Sequence, residues 1–449
     1  MADFEKIFKA YDIRGVIPDE LDEGVAEAVG AGLVRLTSAT SVVVMHDMRT
    51  SSPLLAEGIA RGASSQGADV INGGLGSTDM LYYASGSLGI PGAMVTASHN
   101  PPKYNGIKLC RAGAKPVGAD TGLGELRDMA VRGIPAYQGG KGETTTRDLL
   151  PGYAAYLKSL VDLSGIRPLT VAVDAGNGMA GYTVPTVFEG LPVTLIPLYF
   201  ELDGTFPNHE ANPIDPANLV DLQRAVTDSG ADVGLAFDGD ADRCFVVDER
   251  GQVVSPSALT ALIAVRELER EPGATIIHNL ITSRAVPEII TEHGGKPVRT
   301  RVGHSFIKAR MAETGAVFGG EHSGHFYFRD FWYADSGMLA ALHVLAALGH
   351  QDGPLSQLLG HYQRYVASGE INSEVSDQQA ATEEVRQAFA GRPGVSMDEL
   401  DGLTVAAQDW SFNLRPSNTE PLLRLNVEAA DQATMEARRD EVLRIVRGQ

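Results

Sequence analysis

Short apolar runs alternate with segments of helical periodicity over the first part of the chain. Strand-like runs at residues 41–47, 68–71 and 92–95 are separated by amphipathic stretches at 53–66 and 78–86. Strands that alternate with helices of this length are typical of β-α-β units. The pattern therefore predicts a mixed or parallel sheet with helices on both faces.

The alternation continues beyond residue 95 and then changes near the C-terminal end. Further strands are predicted at 106–110, 169–174, 193–198, 232–237, 275–279 and 316–319, and further helices at 120–132, 148–161, 216–229, 256–269, 283–293 and 304–313. After residue 362, adjacent strands at 368–375, 403–407, 410–414 and 422–429 are flanked by helices at 378–390 and 431–447. Adjacent strands with segregated helices indicate an α+β module.

The predicted fold class is therefore α/β, with three similar mixed-sheet α/β domains followed by a C-terminal α+β domain. A stretch rich in Gly, Thr and Pro at residues 133–146 is predicted to be a linker. The predicted domains are 1–146, 147–250, 251–362 and 363–449. The length of 449 residues is sufficient for several such domains.

Composition limits the partners and the location that we expect for the protein. The chain has 57 acidic and 37 basic residues, which gives a formal net charge of −20. This charge argues against nucleic acid and against an anionic membrane surface as partners. Any anionic substrate must then be bound by a local basic cluster. The two cysteines, the start without an apolar leader and the shortness of the apolar helix at 337–348 predict a cytoplasmic protein without membrane spans.

A candidate nucleophile follows the strand at 92–95. The segment Thr96–Pro102 turns at Asn-Pro-Pro, so Ser98 is predicted to lie on an ordered loop at the end of a strand. Such a loop can present a hydroxyl group to a cleft. A serine reacts only with help from a base, a metal or a phosphate on its oxygen, and His99 and Lys108 are near in sequence. An ordinary turn with a hydrogen-bonded hydroxyl group is the alternative.

Three aspartates give the strongest chemical signal. Asp238, Asp240 and Asp242 alternate directly after an apolar strand. Their mutual repulsion is costly unless a cation lies among them, and oxygen ligands alone favour Mg²⁺ over Zn²⁺. A calcium loop is an alternative because Glu249 has the spacing of its bidentate acid, but Arg243 stands where that loop needs glycine. A solvated acidic turn is the other alternative.

A glycine-rich segment at Gly176–Gly181 matches the spacing G-x-G-x-x-G after a strand. This spacing occurs in dinucleotide-binding turns, and Glu201 follows at a suitable distance. Pro185 lies in the segment that should then be helical, and no second half for a dinucleotide follows. The segment is predicted to be a tight strand-to-helix turn, with dinucleotide binding as the alternative.

Two later loops carry polar side chains suited to a sugar phosphate. In the loop at 319–325, Glu321 can accept hydrogen bonds from vicinal hydroxyl groups and His325 can transfer protons near neutral pH. The loop at 415–421 combines Arg415 with two hydroxyl groups, an amide and turn N–H groups, which are typical of a phosphate site. Ordinary polar loops are the alternative in both cases.

Five motifs, in this order, resemble those of the α-D-phosphohexomutase superfamily and most closely its bacterial phosphomannomutase/phosphoglucomutase branch. They are Tyr11–Gly15, Thr96–Pro102, Asp238–Arg243, Gly320–His325 and Arg415–Pro421, and they span essentially the whole chain. The resemblance implies four domains around a central cleft. It also implies the interconversion of hexose 6-phosphate and hexose 1-phosphate through a phosphoserine enzyme and a 1,6-bisphosphate intermediate.

The resemblance further implies roles for individual residues. The phosphoryl carrier would be Ser98, which would also bind Mg²⁺ together with Asp238, Asp240 and Asp242. The general acid and base would be Lys108 and His325, and the residues flanking the phosphoserine would be Arg14, His99 and Arg243. Sugar contacts would come from Glu321, Ser323, Gly303 and His304, and the phosphate that is not transferred would be bound by Arg415, Ser417, Asn418 and Thr419.

The substrates implied by the resemblance are mannose phosphate and glucose phosphate, with Mg²⁺ as cofactor and a hexose 1,6-bisphosphate as activator and intermediate. Tyr104 and His322 favour this branch, because phosphoglucosamine mutases usually have aspartate and glutamine there. Phosphoglucosamine mutase, a strict phosphoglucomutase, a serine phosphatase and a non-catalytic sugar-phosphate-binding protein remain alternatives. Ile281 stands where some relatives have lysine, so one sugar contact is either missing or supplied by Arg284. The expected assembly is a monomer or a homodimer.

Overall fold

The computed structural model describes residues 3–417 and 422–448, with all their side chains except those of His304 and Ser305. The chain forms two compact units. The first comprises Met1–Pro256 with Ser323–Leu358, and the second comprises Ser257–His322 with Leu359–Gln449. The four domain boundaries expected from the sequence remain predictions.

The first part of the chain builds a mixed sheet with helices packed against it. Its helices are α1 (Phe4–Ile7), α2 (Glu23–Thr37), α3 (Ser52–Ser65), α4 (Thr78–Leu88) and α5 (Leu123–Arg132), and its strands are β1 (Ile13–Val16), β2 (Ser41–His46), β3 (Asp69–Leu75), β4 (Gly92–Val95), β5 (Tyr104–Arg111), β6 (Lys115–Pro116) and β7 (Thr144–Thr146). The strand order is β1-β5-β4-β2-β3-β7, with β6 paired to β5. The pairs β2–β3 and β2–β4 are parallel, whereas β4–β5 and β1–β5 are antiparallel. The predicted mixed sheet is confirmed.

The arrangement of β2 and β4 positions the Ser98 loop. Both strands are apolar and buried along most of their length, as expected for central strands of a sheet covered by helices. Because they are parallel, their carboxyl ends meet at the same edge, and Asp47 N donates to Val95 O at 3.0 Å. The residues that follow each strand, 47–49 and 96–98, are therefore neighbours.

The motif Tyr11–Gly15 lies partly in β1, because the strand begins at Ile13 and Arg14 pairs with Gly106 of β5 in an antiparallel register. One expectation for this part of the chain needs correction. The linker expected at 133–146 ends in an edge strand, because Thr144–Thr146 pair in parallel with β3. Backbone hydrogen bonding to an open sheet edge therefore extends the first sheet beyond the polar, Gly-rich segment.

The next part forms a second sheet in the first unit. Its elements are α6 (Leu150–Leu160), β8 (Leu169–Asp174), α7 (Ala180–Phe188), β9 (Val193–Leu198), α8 (Val220–Ser229), β10 (Val233–Phe237), β11 (Cys244–Asp248) and β12 (Val253–Val254). The strand order is β12-β11-β10-β8-β9. Strands β8 and β10 are parallel, and β10 and β11 are antiparallel with Phe237 opposite Cys244. Residues 238–243 therefore form the loop that joins two fully buried strands.

The third part contributes to both units. Its elements are α9 (Pro256–Arg270), β13 (Thr275–Asn279), α10 (Ala285–Glu292), β14 (Lys296–Thr300), α11 (His304–Thr314), β15 (Phe318–Gly320), β16 (Phe326–Phe328), β17 (Ala334–Asp335) and α12 (Gly337–Gly349). In the second unit, β14, β13 and β15 are parallel. In the first unit, β16 and β17 are antiparallel, and α12 is buried along almost its whole length.

The last part is an antiparallel sheet with helices on one side. After α13 (Leu355–Leu359), its elements are β18 (Val366–Glu374), α14 (Gln378–Phe389), β19 (Ser396–Asp398), β20 (Leu403–Ala406), β21 (Trp410–Pro416), β22 (Leu422–Ala429) and α15 (Gln432–Val446). The strand order is β18-β22-β21-β20-β19. Alternate residues of β20, β21 and β22 pack on α14 and α15 in one apolar core. The predicted α+β module is confirmed. Within residues 3–417 and 422–448, no helix combines the length and the hydropathy that crossing a bilayer requires.

Candidate active site

Ser98 lies on a constrained loop directly after β4. Its backbone has φ of 50°, in the left-handed region that is unfavourable for a non-glycine residue. The side chain of Thr96 accepts a hydrogen bond from Ser98 N at 2.9 Å. The Ser98 hydroxyl donates to Asp238 Oδ2 at 2.8 Å and lies 3.1 Å from His99 Nδ1. The structure therefore aims this hydroxyl at the first of the three predicted aspartates.

The three aspartates converge on the β10–β11 loop. Asp238, Asp240 and Asp242 are at most 1% exposed, and one carboxylate oxygen from each lies within 4.8 Å of the others. The loop touches the Ser98 loop through Gly239, because a Cβ at this position would lie 2.4 Å from Ser98 O. The glycine of the Asp-Gly-Asp sequence is thus explained by a close approach of two backbones.

Two oxygens of this cluster indicate room for a cation. The Oδ1 atoms of Asp240 and Asp242 are buried and accept no hydrogen bond from any described residue. The pKa of Asp238 is raised to about 7, because burial and the charges of Asp242 and Asp240 raise it more than the charge of Arg243 lowers it. Buried carboxylate oxygens without donors are expensive, and a hard divalent cation is the ligand that satisfies them. These residues fit a divalent cation.

Lys108 and Thr78 fix the second and third aspartates. Lys108 Nζ donates to Asp240 Oδ2 at 2.8 Å and to Asp242 Oδ2 at 2.6 Å. Burial lowers the pKa of Lys108, but the two carboxylates raise it more, so the net pKa is well above its ordinary value. Thr78, at the start of α4, donates from Oγ1 to Asp240 Oδ2 at 2.6 Å and from its backbone N to Asp240 O at 3.0 Å.

Three further predicted residues surround Ser98. Arg243 is 3% exposed, and its Nε donates to Asp238 Oδ2 at 2.9 Å. Arg14 Nη1 donates to Asn100 Oδ1 at 2.7 Å, which ties β1 to the Ser98 loop. Burial, together with the positive charges of Arg243 and Arg14, lowers the pKa of His99 to about 3. His99 is therefore neutral at physiological pH, and positive charge near Ser98 comes from arginine and lysine.

The loop before β16 brings His325 to the same cluster. His325 Nε2 lies 3.7 Å from Asp242 Oδ1, and its Nδ1 is 3.0 Å from Ser323 Oγ. Gly324 has φ of 85°, and a Cβ there would lie 2.5 Å from the Phe245 ring, so only glycine lets this loop lie against β11. Ser323, predicted to contact the sugar, is hydrogen-bonded to His325 in this structure.

Glu249 and the glycine-rich segment at 176–181 both make structural contacts in the first unit. Glu249, the candidate calcium ligand, accepts a hydrogen bond from Ser356 N at 3.0 Å and is not a member of the aspartate cluster. In the glycine-rich segment, a Cβ at Gly178 would lie 2.7 Å from Gly239 O, and one at Gly181 would lie 2.3 Å from Phe200 O. These glycines are needed because backbones approach closely, and Gly178 supports the aspartate loop.

The predicted sugar contacts Glu321, Gly303 and His304 belong to the second unit. Glu321 is 3% exposed, and Asn279 Nδ2 lies 3.5 Å from its Oε2. Gly303 precedes α11 with φ of 131°, a conformation that favours glycine. The side chain of His304 lies outside the part of the chain that is described.

The predicted phosphate loop also belongs to the second unit. Arg415, on β21, forms an ion pair with Glu370 at 2.9 Å between Nη2 and Oε2, and Ser417 N donates to Leu422 O at 2.8 Å. Asn418 and Thr419 lie outside the described residues. Arg284 was considered as a substitute sugar contact. Its guanidinium donates to Ala407 O at 2.9 Å and to Gln408 O at 3.1 Å, so it binds the loop between β20 and β21 in the same unit.

Sequence reasoning missed the contribution of Thr78 to this cluster. Thr78 lies 162 positions before Asp240 and is brought to it only by the packing of α4 against the aspartate loop. The sequence Ser77-Thr78-Asp79 shows the start of a helix, with Ser77 as its N-cap, and this local role hides the long-range one. No spacing rule connects a helix start to a distant loop.

Comparison with known proteins places this geometry in a family. The chain matches, in order, phosphoglucomutase/phosphomannomutase α/β/α domain I at residues 5–124, domain II at 151–251, domain III at 255–365 and the C-terminal domain at 370–445. It is 41% identical to a protein named phosphohexose mutases from Xanthomonas campestris pv. campestris, over 98% of this chain and 99% of that one. It is 40% identical to a phosphomannomutase of Escherichia coli strain K12, over 98% of each chain.

A solved structure agrees with these matches. A phosphoglucomutase/phosphomannomutase family protein from Burkholderia thailandensis is 34% identical and superposes with a TM-score of 0.90, covering 100% of this chain and 98% of that chain. The fold class and the family expected from the five sequence motifs are confirmed. This chain belongs to the phosphoglucomutase/phosphomannomutase family.

Proposed function

We propose that the protein is a phosphohexomutase that interconverts hexose 6-phosphate and hexose 1-phosphate, with mannose phosphate and glucose phosphate as substrates. The observation that carries this proposal is the hydrogen bond of the Ser98 hydroxyl to Asp238, inside a buried aspartate cluster in which two oxygens accept no hydrogen bond from the described residues. Relatives named phosphomannomutase, 40% identical along their length, support mannose phosphate as a substrate.

The proposed reaction moves one phosphoryl group in each direction. Phosphorylated Ser98 loses its phosphoryl group as the bond between Oγ and phosphorus breaks. A new bond forms between phosphorus and a free hydroxyl oxygen of the sugar monophosphate, and the proton of that hydroxyl passes to a base. The product is a hexose 1,6-bisphosphate. In the second half, the other phosphate returns to Ser98 Oγ, a proton returns to the sugar oxygen, and the isomeric monophosphate leaves.

The residues around Ser98 suit the charge that develops in this transfer. Arg243, Lys108 and Arg14 place positive charge near the phosphoryl group in a protein whose net charge is −20. His99 is neutral and lies within hydrogen-bond distance of Ser98 Oγ, so it orients that oxygen without adding charge. His325, next to Asp242, is the proposed proton acceptor and donor for the sugar hydroxyl, with Lys108 as its partner.

The cation proposed for this site is Mg²⁺. Ser98, Asp238, Asp240 and Asp242 would hold it, since they supply only oxygen atoms. When bound, such an ion offsets negative charge on the phosphoryl group. Lys108 and Thr78 bind the Oδ2 atoms of Asp240 and Asp242 and leave the Oδ1 atoms without a hydrogen-bond donor among the described residues.

Further residues are proposed to bind the rest of the substrate. Sugar hydroxyl groups would be bound by Glu321, Ser323, Gly303 and His304, and the phosphate that is not transferred by Arg415, Ser417, Asn418 and Thr419. The ion pair of Arg415 with Glu370 shows that this guanidinium already binds a carboxylate, whose geometry resembles that of a phosphate edge.

A side-by-side assay tests the proposal. Mannose 1-phosphate, glucose 1-phosphate and glucosamine 1-phosphate are each given to the enzyme with Mg²⁺ and a trace of hexose bisphosphate, and 6-phosphate and free phosphate are both measured. We expect rapid isomerisation of the mannose and glucose compounds, little free phosphate, and loss of turnover after chelation of divalent ions. Preference for the glucosamine compound would identify a phosphoglucosamine mutase instead. Free phosphate as the main product would identify a phosphatase, and binding without turnover a sugar-phosphate-binding protein.

A matched pair of variants connects the activity to the site. Ser98→Ala removes the proposed phosphoryl carrier, whereas Ser159→Ala removes an exposed hydroxyl group of α6 in the same unit. We expect the first variant to lose isomerase turnover and the second to keep it. Full turnover by Ser98→Ala would refute the role proposed for this serine.

A further inference from the structure

Arg49 is among the largest fully buried side chains, and it lies beneath the Ser98 loop. The residue is 2% exposed and follows β2 at the same sheet edge from which the Ser98 loop follows β4. A buried guanidinium is costly unless its donors are used. The hydrogen-bond partners of Arg49 therefore indicate why this side chain is buried.

The guanidinium binds the Ser98 loop through four main-chain oxygens. Arg49 Nη2 donates to Ser98 O at 2.8 Å and to Asn100 O at 2.6 Å. Arg49 Nη1 donates to Pro101 O at 3.1 Å and to Tyr104 O at 3.0 Å. Only arginine has planar paired donors that can hold four carbonyl groups in this way. One side chain thus connects the loop from the reactive serine to the first residue of β5.

The remaining faces of Arg49 are also closed. Its Nε lies 3.3 Å from Asp47 Oδ2, and Asp47 is itself held by Ser52 Oγ at 2.6 Å. The ring of Phe206 lies 5.1 Å from the guanidinium carbon, within the range of a cation–π contact. At Gly204, a Cβ would lie 2.6 Å from Arg49 Cα. Arg49 is therefore enclosed by packed neighbours, which leave little space for its side chain to move.

The Ser98 backbone needs such a support. Its φ of 50° places it in the left-handed region, where a serine persists only when its surroundings impose the conformation. The Ser98 carbonyl oxygen lies between the Arg49 guanidinium and Gly239 of the aspartate loop. This oxygen is therefore fixed from two sides, and with it the direction of the Ser98 side chain.

We propose that Arg49 is a positioning residue for phosphoryl transfer, which holds Ser98 Oγ at the aspartate cluster by binding the carbonyl groups of its loop. The inference rests on the proposed function, in which Ser98 carries the phosphoryl group. Arg49 does not touch the reacting oxygen and acts through the backbone. Without it, the loop relaxes, the transfer to sugar slows, and phosphoserine is exposed more often to water.

The test uses the full chain with Arg49→Lys, which keeps the charge but loses the paired donors. The matched control is Arg61→Lys, since Arg61 is an arginine of the same unit whose side chain is 46% exposed. We expect kcat with mannose 1-phosphate to fall on the order of 100-fold in Arg49→Lys, with KM nearly unchanged, because reacting groups are misplaced by about 1 Å. We also expect more free phosphate per isomerisation. Arg61→Lys should match the wild type.

A second variant covers the case in which Arg49→Lys does not fold. Phe206→Leu leaves Arg49 in place but removes the ring against which the guanidinium packs, and so weakens its hold on the four carbonyl groups. We expect it to fold and to show a smaller loss, roughly tenfold in kcat, with the same rise in free phosphate. The inference would be overturned if both variants kept the wild-type kcat and the wild-type ratio of free phosphate to isomer. If Arg49→Lys is insoluble, the same result in Phe206→Leu alone would overturn it.

Amide hydrogen exchange separates this inference from the proposed function. In the wild type, the amides of Asn100 and Tyr104 donate within the loop, to Ala97 O and Pro101 O, and are expected to be protected. Their exchange should become faster in both Arg49→Lys and Phe206→Leu. Faster exchange together with a wild type that does not isomerise hexose phosphates would refute only the proposed function. Unchanged exchange in an active enzyme would refute only the role of Arg49.

Discussion

The contact between the Ser98 loop and the aspartate loop gives the sharpest prediction, through Gly239→Ala. The added Cβ would lie 2.4 Å from Ser98 O and 3.6 Å from Ala211 Cβ. Carbon and oxygen atoms that are not bonded stay about 1 Å further apart than the first distance, so one loop must move by about that amount. The two groups that could move are the backbones of Ser98 and of residue 239, and both are buried. The strain is therefore not relieved by a side-chain rotation.

The size of the expected effect follows from that displacement. The hydrogen bond from Ser98 Oγ to Asp238 Oδ2 is 2.8 Å long and would be lost if the loops separated by about 1 Å. Misplacing reacting groups by about 1 Å reduces a rate about 100-fold, which corresponds to about 2.7 kcal/mol of barrier. Forcing a methyl group into the contact should also reduce the free energy of unfolding by about 1–3 kcal/mol.

The assay compares Gly239→Ala with Gly140→Ala. Gly140 is an exposed glycine with nothing within 4 Å of an added Cβ, so its substitution changes composition equally without a clash. We expect about a 100-fold loss of kcat with mannose 1-phosphate for Gly239→Ala and none for Gly140→Ala. Melting temperatures show whether lost activity is lost folding. More than half of the wild-type kcat in a folded Gly239→Ala protein would refute the argument that these two backbones must touch.

Two further predictions concern Thr78 and His209. Thr78→Val removes one donor to Asp240 Oδ2 at constant shape, so we expect about a tenfold weaker Mg²⁺ activation of turnover with little change in melting temperature; an unchanged Mg²⁺ dependence would contradict its role. Burial lowers the pKa of His209, but the hydrogen bond and charge of Asp174, 2.9 Å from Nε2, raise it more, so the net pKa is above 6.5. This pair therefore stabilises the fold below about pH 6.5 and loses that effect as pH rises through the raised pKa. Urea unfolding should show a wild-type advantage over His209→Gln that is larger at acid than at alkaline pH, and a constant difference would exclude the pair as its source.

Prediction from the sequence was most successful for elements whose hydrophobic or charge pattern lies within their own residues. The apolar run of β4 and the alternating carboxylates after β10 were both recognisable, because burial and charge repulsion act on neighbours in sequence. The structure adds why Gly239 separates two of those aspartates, namely the approach of Ser98 O. That reason is a contact between distant segments, and no local pattern contains it.

Helix α2 was not predicted, and its packing explains the omission. Its residues Glu23–Thr37 include several glycines and valines, whose low helix propensity weakens the helical pattern in sequence. A Cβ at Gly30 would lie 2.1 Å from Ile59 O, and one at Gly62 of α3 would lie 1.9 Å from Glu27 O. The glycines allow two helices to touch backbone to backbone, a tertiary reason that outweighs their poor helix propensity.

Strand β14 was also missed, for the opposite reason. Its residues Lys296–Thr300 include two cations and a proline and are largely half-buried or exposed, as is usual at the edge of a sheet. Pairing with β13 in parallel makes it a strand although its composition does not. Arg49 illustrates the same limit in the candidate site, since nothing in the sequence distinguishes a buried arginine that binds four carbonyl groups from a surface one.

Phosphopeptide mapping shows whether Ser98 is the phosphoryl carrier. The protein is incubated with glucose 1,6-bisphosphate and Mg²⁺, and its peptides are then analysed by mass spectrometry, with Ser98→Ala treated in parallel. We expect one phosphoryl group on the peptide that contains Ser98, no such label in the variant, and loss of the label when excess hexose monophosphate is added. Label on another residue, or an unlabelled enzyme that still turns over, would contradict this role of Ser98.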